Sequence, residues 1–353
     1  MMLCITNYMK IGQKEIGVDK PVFIIAEAGV NYNNKLSLAY KMIDIAIKSD
    51  ADAIKFQTFL ADNIQLKNSI KPGYQKSIKG RDYYNIIKNL ETSFDTQVKI
   101  FNYCKKKGII FLSTPYDEQS LDFLTQLGVP AFKISSSDAT NHLFLESVLK
   151  KRKPLLLSTG LTSIKHVDLT VKLVDKFKMK KKLVLLQTTS DYPTKNTDVN
   201  LKVIPEYIKR YKTLVGFSDH TLDYTASLGA IAMGACVVEK HFTVDRKLSG
   251  PDQKASLEPS ELKEWIKKIR IMEKSIGDKN KNITNSEKEN LTMRKLLLIK
   301  PTKRGTIITK KSLSAKRVDG NGVLALQDNL DKIIGKKLLK NVNQERKFSW
   351  NLI

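Results

Sequence analysis

Short apolar runs alternate with longer amphipathic segments through most of the chain, and this alternation restricts the possible folds more than any other feature. The runs have four to six residues and are typical of buried strands, whereas the segments have helical periodicity. Strands are predicted at 22–26, 53–57, 109–113, 131–134, 154–158, 183–187, 214–217 and 235–238. Helices are predicted near 36–49, 93–107, 117–127, 141–151, 163–178, 199–211, 223–233 and 258–275. Eight such units over about 260 residues predict an α/β protein with a (β/α)8 TIM barrel.

An open, doubly wound parallel sheet is the alternative fold. Such a sheet normally has a glycine-rich turn after its first strand, and the residues Glu27-Ala28-Gly29-Val30-Asn31 lack that spacing. In both folds the carboxyl ends of the strands open on one face, so polar residues at those ends are expected to converge.

The strand–helix pattern ends near residue 276, and the remaining chain differs in composition. Residues 1–276 are therefore predicted to form the barrel domain, and the polar residues 277–290 a linker. Residues 291–353 contain short β-type runs interrupted by glycines, which predicts a small, mostly β domain. A domain of about 60 residues is marginally stable alone, so we expect it to lean on another surface.

Two of the four histidines, His220 and His241, directly follow consecutive predicted strands. Two neutral imidazoles beside carboxylates suit a divalent transition metal that keeps open positions for substrate. The alternative is two unrelated surface histidines. A site is the better explanation because ionisable and polar residues flank both of them. These are Ser218, Asp219, Glu239 and Lys240.

Lys55 and Lys133 lie inside predicted strands between apolar neighbours, and serine and threonine residues follow the ends of other strands. Lysines supply charge and hydroxyls supply neutral donors, which together suit a small anion that bears phosphate and carboxylate groups. A barrel lysine can also form a Schiff base with a carbonyl substrate, as in aldolases, so that mechanism remains an alternative. The long segment 60–92 contains basic and aromatic residues, and it is predicted to form either a lid or disordered padding.

The net charge is +25, from 61 Lys and Arg against 36 Asp and Glu. The lysines are scattered, which favours attraction of anionic substrates over nucleic-acid binding, although a non-catalytic anion-binding protein remains possible on charge alone. We expect no membrane span, because no run of 18 apolar residues exists. Three widely spaced cysteines predict reduced thiols in a cytoplasmic protein.

The motifs resemble those of one family, the nonulosonic (sialic) acid synthases, over about residues 20 to 275. They are IIAEAGVNYN, DAIKFQTF, FLSTPYD, FKISSSDATN, LSTG, QTTSDYPT, GFSDHT, EKHFTVD and GPDQKASLEP, in that order. The tail resembles the antifreeze-like (SAF) domain of the same family through residues 316–322.

This resemblance implies an enzyme that condenses phosphoenolpyruvate with the open-chain aldehyde of an N-acyl mannosamine-type sugar, with cleavage of the carbon–oxygen bond to phosphate. It implies a divalent metal, most simply Mn²⁺ with Mg²⁺ or Co²⁺ as alternatives, on His220 and His241, which act in catalysis together with Glu27. Phosphoenolpyruvate would bind Lys55, Thr114, Lys133, Ser136, Ser158 and Ser218. The sugar would bind Gln57, Tyr192, Glu239, Asp252 and Arg317.

The resemblance also implies a domain-swapped homodimer in which Arg317 of one chain reaches the sugar in the partner's barrel. N-acetylneuraminate synthase is the favoured member, and N,N'-diacetyllegionaminate synthase and, less favoured, pseudaminate synthase are the alternatives. The sequence departs from the family pattern near the predicted sugar site. The differing residues are Ser135, Ser137, Asp138, Ser190, Gln253, Val318 and Asp319.

Overall fold

A computed structural model of the chain describes residues 8–67, 83–278, 280–289, 293–343 and 345–353. The chain divides into two compact units, Met1–Gly277 and Asp278–Ile353. The strands are β1 (Tyr8–Ile11), β2 (Lys14–Gly17), β3 (Phe23–Gly29), β4 (Ala53–Thr58), β5 (Ile110–Pro115), β6 (Phe132–Ile134), β7 (Leu155–Ser158), β8 (Leu183–Gln187), β9 (Leu214–Asp219), β10 (Val237–His241), β11 (Arg294–Leu298), β12 (Leu313–Arg317) and β13 (Arg346–Lys347). The helices are α1 (Leu36–Lys48), α2 (Ala61–Ile64), α3 (Tyr83–Leu90), α4 (Phe94–Lys107), α5 (Glu118–Leu127), α6 (His142–Lys150), α7 (Ile164–Lys176), α8 (Val203–Tyr211), α9 (Thr225–Ala232), α10 (Pro259–Ile276), α11 (Asn285–Glu289) and α12 (Gln327–Ile333).

The first unit contains the predicted (β/α)8 barrel, and the doubly wound alternative is wrong. Its parallel strands follow the hydrogen-bonded order β5-β4-β3-β10-β9-β8-β7-β6. The last strand, β10, pairs with the first, β3, so the sheet curves round on itself. All eight predicted strands overlap β3 to β10, and the structure extends the last two to include Asp219 and His241.

The strands alternate between a face toward the barrel axis and a face toward the helices. On β3, Phe23 and Ile25 pack inside the barrel, whereas Ile24 and Ala26 join the larger core under the helices. The same alternation on the other strands gives an apolar layer inside the lower half of the barrel. Its strand residues are Phe23, Ile25, Ala53, Leu112, Leu156, Val184, Leu186, Leu214 and Val237.

A two-stranded antiparallel hairpin, β1 and β2, was not predicted from the sequence. Its side chains Met9, Ile11 and Ile16 are buried against the apolar layer, among residues that begin the barrel strands. A two-residue turn joins the strands, and Gly12 adopts a φ of 58°, a left-handed conformation that glycine tolerates best. The hairpin therefore closes the amino-terminal end of the barrel.

Helix α10 shows how local sequence fixes the outer layer. It begins at Pro259, and the Glu258 and Glu261 side chains form a reciprocal cap at its amino terminus. Its buried face packs in the core between barrel and helices. That face consists of Leu262, Trp265, Ile266 and Ile269.

In the second unit, β11 pairs with both β12 and β13 in an antiparallel sheet. A separate apolar cluster, which includes Leu296, Ile308 and Phe348, forms its core. The likeness to an SAF domain stays a prediction. Among the residues that the structure describes, no helix is long and apolar enough to cross a membrane.

Candidate active site

A cavity of about 890 Å³ opens at the carboxyl ends of the barrel strands. Every residue that the sequence predicted for the site in the first unit contributes to its lining. They are Glu27, Lys55, Gln57, Thr114, Lys133, Ser136, Ser158, Tyr192, Ser218, His220, Glu239, His241 and Asp252. The remaining predicted residue, Arg317, is an exposed residue of β12 in the second unit, and its role stays a prediction.

The floor of the cavity is a buried ionic layer made of two lysines and two glutamates. The Lys55 Nζ lies 2.9 Å from Glu27 Oε1 and 3.7 Å from Glu239 Oε2. The Lys133 Nζ lies 3.7 Å from Glu239 Oε1. All four side chains are at most 5% exposed. These inward positions continue the same alternation that places the apolar layer below.

Burial and charge together set the ionisation of this layer. Burial raises the pKa of Glu27 to about 8, and the nearby carboxylate of Glu239 adds to that effect. Burial alone would raise the pKa of Glu239, but the ammonium groups of Lys133 and Lys55 outweigh it and lower that pKa. At neutral pH the layer therefore favours one carboxylate and one protonated carboxyl group.

The two lysines respond differently to the same surroundings. Burial opposes the charged form of Lys55, yet Glu239 and Glu27 outweigh it and raise the pKa of its ammonium group. Burial lowers the pKa of Lys133 to about 8. With two ammonium groups against one carboxylate, the floor carries a net positive charge near neutral pH, which suits a buried anion.

Hydroxyl groups surround the lysines. The Lys133 Nζ donates to Ser158 Oγ at 2.7 Å, and the Lys55 Nζ donates to Thr114 Oγ1 at 3.3 Å. Ser218 Oγ donates to Glu239 Oε1 at 3.0 Å. Ser136 Oγ accepts from the Gly160 amide at 3.0 Å. These groups offer charged and neutral donors to one ligand, as the sequence pattern predicted.

His220 and His241 lie together beside this floor, with ring centroids 5.8 Å apart. Burial lowers the pKa of His220 to about 4 and lowers the pKa of His241 well below its usual range. Both rings are therefore neutral near pH 7, which is the state that binds metals. His220 Nδ1 lies 2.7 Å from the Thr189 carbonyl oxygen, which fixes this ring and leaves Nε2 toward Ser218.

The donor set fits a divalent metal with an open coordination sphere. Among the described residues, His241 Nδ1, Glu27 Oε2 and Glu239 Oε2 are buried without a hydrogen-bond partner. Within the same described parts of the chain, no three His, Cys, Asp or Glu side chains cluster closely enough to form a complete ligand set. An ion held by the two imidazoles would leave its remaining positions to substrate and water.

Tyr192 lies against both histidines, and Asp252 lines the same cavity. The Tyr192 ring lies 4.0 Å from the His220 ring, centroid to centroid, and 5.6 Å from the His241 ring. Burial raises the pKa of Asp252 to about 6, and this carboxyl group lines the cavity. Both residues line the same cavity as the ionic floor.

The departures from the family pattern have different structural positions. Ser135, Ser137 and Asp138 line the cavity, and Ser135 Oγ donates to Asp138 Oδ2 at 2.8 Å. Gln253 does not line the cavity; its Nε2 donates to the Asn31 carbonyl oxygen at 2.9 Å, so it joins two loops. Ser190, a further departure, also lines the cavity, so it and the serine–aspartate group are placed to contact a ligand, whereas Gln253 is not.

One wall of the cavity was missed in the sequence analysis. Helix α3 was read as part of a loop, but Tyr83, Ile87 and Leu90 share one helical face that lines the cavity. Their spacing of i, i+4 and i+7 was the available signal. The other basic and aromatic residues of that predicted loop, from Lys71 to Arg81, lie outside the described residues.

Comparison with known proteins identifies this arrangement. Residues 42–281 match the model of the NeuB family. The chain is 39% identical over 331 residues to the N,N'-diacetyllegionaminic acid synthase of Campylobacter jejuni, covering 92% of this chain and 98% of that protein. It is 37% identical over 349 residues to the enzyme of the same name from Legionella pneumophila, covering 97% of each.

A solved structure agrees with these sequence matches. The N-acetylneuraminic acid (sialic acid) synthetase of Leptospira borgpetersenii, crystallised in complex with citrate, superposes with a TM-score of 0.72 at 33% identity. The match covers 80% of this chain and 95% of that one. The family predicted from the sequence motifs is thereby confirmed: the chain belongs to the NeuB family of nonulosonic acid synthases and is a transferase-type enzyme of that class.

Proposed function

We propose that the enzyme condenses phosphoenolpyruvate with the open-chain aldehyde of an N-acyl mannosamine-type sugar, giving a nonulosonic acid and phosphate. The observation that carries this proposal is the ionic floor, where Lys55 and Lys133 with their hydroxyl partners lie beside two neutral histidines. In phosphoenolpyruvate the carboxylate and the phosphate ester are both attached to C2. Two separated ammonium groups with intervening hydroxyls match such a ligand better than they match a neutral sugar.

The residues predicted for phosphoenolpyruvate would divide the anion between them. Lys55 with Thr114 lies on one side of Glu239, and Lys133 with Ser158 lies on the other. Ser136 and Ser218 complete the hydroxyl ring from neighbouring strand ends. Binding of the ligand in this buried position would exclude bulk water and leave the one water molecule that the reaction consumes.

Glu27 is suited to move the protons of the reaction. In the proposed reaction, C3 of phosphoenolpyruvate forms a bond to the aldehyde carbon, and the aldehyde oxygen takes a proton. Glu27 holds a proton near neutral pH and has an unpartnered buried oxygen among the described residues, so it can supply that proton. Water then adds to C2 and returns one proton to Glu27. Phosphate leaves with the C2–O bonding electrons, and the remaining C2 hydroxyl forms the ketone as its proton passes to the departing phosphate.

We propose that His220 and His241 hold the divalent metal, with Mn²⁺ preferred and Mg²⁺ or Co²⁺ as alternatives. A bound divalent ion supplies Lewis-acid polarisation of a carbonyl oxygen and a position for a water molecule. Gln57, Tyr192, Glu239 and Asp252 would hold the sugar so that its aldehyde faces the anion.

The acceptor that we propose first is a 2,4-diacetamido-trideoxy mannose, which gives N,N'-diacetyllegionaminate. The two relatives at 39% and 37% identity are named for that product. N-acetylmannosamine, the acceptor favoured by the sequence motifs, is the second candidate. The structural relative at 33% identity is named for its product, N-acetylneuraminic acid.

The test is phosphate release from phosphoenolpyruvate with Mn²⁺ and either sugar. We expect release that requires a sugar, is faster with the diacetamido sugar, and stops when a chelator is added. Faster release with N-acetylmannosamine would assign the neuraminate branch instead. No release with either sugar from folded, metal-loaded protein would overturn the proposed reaction.

The Schiff-base alternative can be separated from this one directly. It requires Lys133 as a free amine that attacks the carbonyl of pyruvate. Lys133 instead donates to Ser158 Oγ and lies beside Glu239, an arrangement that supports its use as a cation. Borohydride trapping of pyruvate on Lys133, with activity that survives the chelator, would support the aldolase instead.

A further inference from the structure

The outer face of β9 and β10 carries a second buried ion pair, which the proposed chemistry does not use. Asp219 and Lys240 alternate with the site residues, so they point away from the cavity. The Lys240 Nζ lies 3.1 Å from Asp219 Oδ1, and both side chains are fully buried. A fully buried pair is costly to desolvate, so it calls for a role beyond general stability.

This pair is part of a hydrogen-bond network that includes the residues before and after His220 in the sequence. Asp219 Oδ1 accepts from the Thr221 amide at 2.9 Å and from the Thr221 hydroxyl at 2.7 Å. The Lys240 Nζ donates to the Thr221 carbonyl oxygen at 2.6 Å. The residues immediately before and after His220 are therefore both fixed by the same ion pair.

The network also extends to the helices outside the barrel. Asp219 Oδ2 accepts a hydrogen bond from the Ser227 hydroxyl on α9. The Trp265 indole on α10 donates to Ser227 Oγ at 3.0 Å. Trp265 is itself fully buried, so the ion pair is anchored to the core between barrel and helices.

The same ion pair also adjoins the second histidine, His241, in the sequence. Lys240 directly precedes His241, and β10 pairs with β9 so that Lys240 lies opposite Asp219. Removing the pair would free the backbone at three positions that adjoin the two imidazoles: 219, 221 and 240. Metal affinity depends strongly on the orientation of ligand side chains, which is fixed by groups that do not touch the ion.

We propose that Asp219 and Lys240 are positioning residues that set the spacing of the His220 and His241 imidazoles for the metal. This inference rests on the proposed function, because it takes those histidines to be the metal ligands. It assigns to the outer face of the strands a part in metal binding, although neither residue lines the cavity.

The test compares Mn²⁺ affinity in the wild type and three full-length variants after removal of metal, by the loss of the free Mn²⁺ electron paramagnetic resonance signal. The double variant Asp219→Asn/Lys240→Met removes both charges with little change of volume, so neither charge is left buried alone. We expect its Kd for Mn²⁺ to rise at least about tenfold. Ser227→Ala keeps both charges, loosens the same network and should raise the Kd less; it also serves if the double variant does not fold.

The matched control is Arg270→Met, which removes an ion pair at the opposite end of the barrel, where Arg270 Nη2 lies 2.9 Å from Asp52 Oδ2. It should lower the melting temperature but leave the Mn²⁺ Kd within about twofold, because it lies near the strand starts. Unchanged affinity in both the double variant and Ser227→Ala would overturn the inference alone. Wild-type protein that binds no Mn²⁺ would overturn the metal assignment and the inference with it.

Discussion

The two halves of the barrel interior are built from the same strands and the same inward positions, yet they have opposite chemistry. Below, residues such as Ile25 and Leu156 form a dry apolar layer closed by the hairpin. Above, Glu27, Lys55 and Lys133 form an ionic layer that opens to the cavity. One step of two residues along a strand leads from one layer to the other. The fold thus determines which strand positions point into the barrel. The residue type at each of those positions determines whether it joins the apolar layer or the ionic layer.

The two layers also differ in the free energy of burying their side chains. Apolar groups in the lower layer gain free energy on burial, at roughly 25 cal/mol per Å². Charged groups in the upper layer lose hydration free energy on burial, and only interactions with charged or hydrogen-bonding partners compensate for that loss. Glu239 meets both lysines, which is why its pKa falls, while Glu27 keeps a raised pKa. The upper layer therefore contributes less to the stability of the barrel than the lower layer does.

The sharpest way to separate the layers is His241→Ala. The proposed metal role predicts a fall in turnover of at least about a thousandfold, because Lewis-acid polarisation contributes several kcal/mol. The melting temperature should change little, since among the described residues His241 Nδ1 makes no hydrogen bond that would be lost. Phosphate release and thermal unfolding measure the two effects. Undiminished turnover would remove the metal assignment.

Next in size is Lys133→Met, which keeps the length of the side chain but removes its charge. We expect the KM for phosphoenolpyruvate to rise about a hundredfold, as is usual when one member of a buried charge pair is lost. Lys172→Met on the exposed face of α7 is the matched control and should leave KM unchanged. Equal KM values in the two variants would place the anion elsewhere.

The lower layer should respond in the opposite way. Ile16→Ala leaves a cavity between the hairpin and the barrel and should lower the free energy of unfolding by about 2–5 kcal/mol. The KM values should remain within about twofold of wild type. Urea unfolding and steady-state kinetics test both parts. A large rise in KM would show that the layers are not independent.

The last prediction concerns the pH dependence of stability. Below about pH 4.5 the Glu27 carboxyl group holds a proton in both the folded and the unfolded chain, whereas between pH 4.5 and about 8 only the folded chain holds it. Its contribution to stability is therefore lost as pH rises through this window, by at most about 1.4 kcal/mol per pH unit. Glu27→Gln should remove that part of the slope in urea unfolding at pH 5, 6.5 and 8. An identical slope in the variant would contradict the raised pKa.

The barrel was predictable because its strands are buried on both faces and stand out as apolar runs. Lys55 and Lys133 were recognisable as site residues since a charge inside such a run is rare. The hairpin was missed although Met9 and Ile11 alternate before the Gly12 turn, because each of its strands has only four residues. Helix α3 was missed because it has only eight residues, and it lines the cavity without a fully buried side chain. The outer network could not be read from sequence, since Asp219 and Lys240 look like further site residues until their direction is known.

The ionic layer also has a consequence for the order of events during synthesis. Lys55 and Glu239 are 184 residues apart, by subtraction of their positions, and they meet only when β10 has closed the sheet. At about 5–20 residues per second, translation leaves Lys55 without this partner for roughly ten to forty seconds. During that interval the Lys55 ammonium group, which the finished barrel encloses, must remain hydrated. The closing strand thus brings Glu239 to both lysines, so the ionic layer is complete only after β10 has been synthesised.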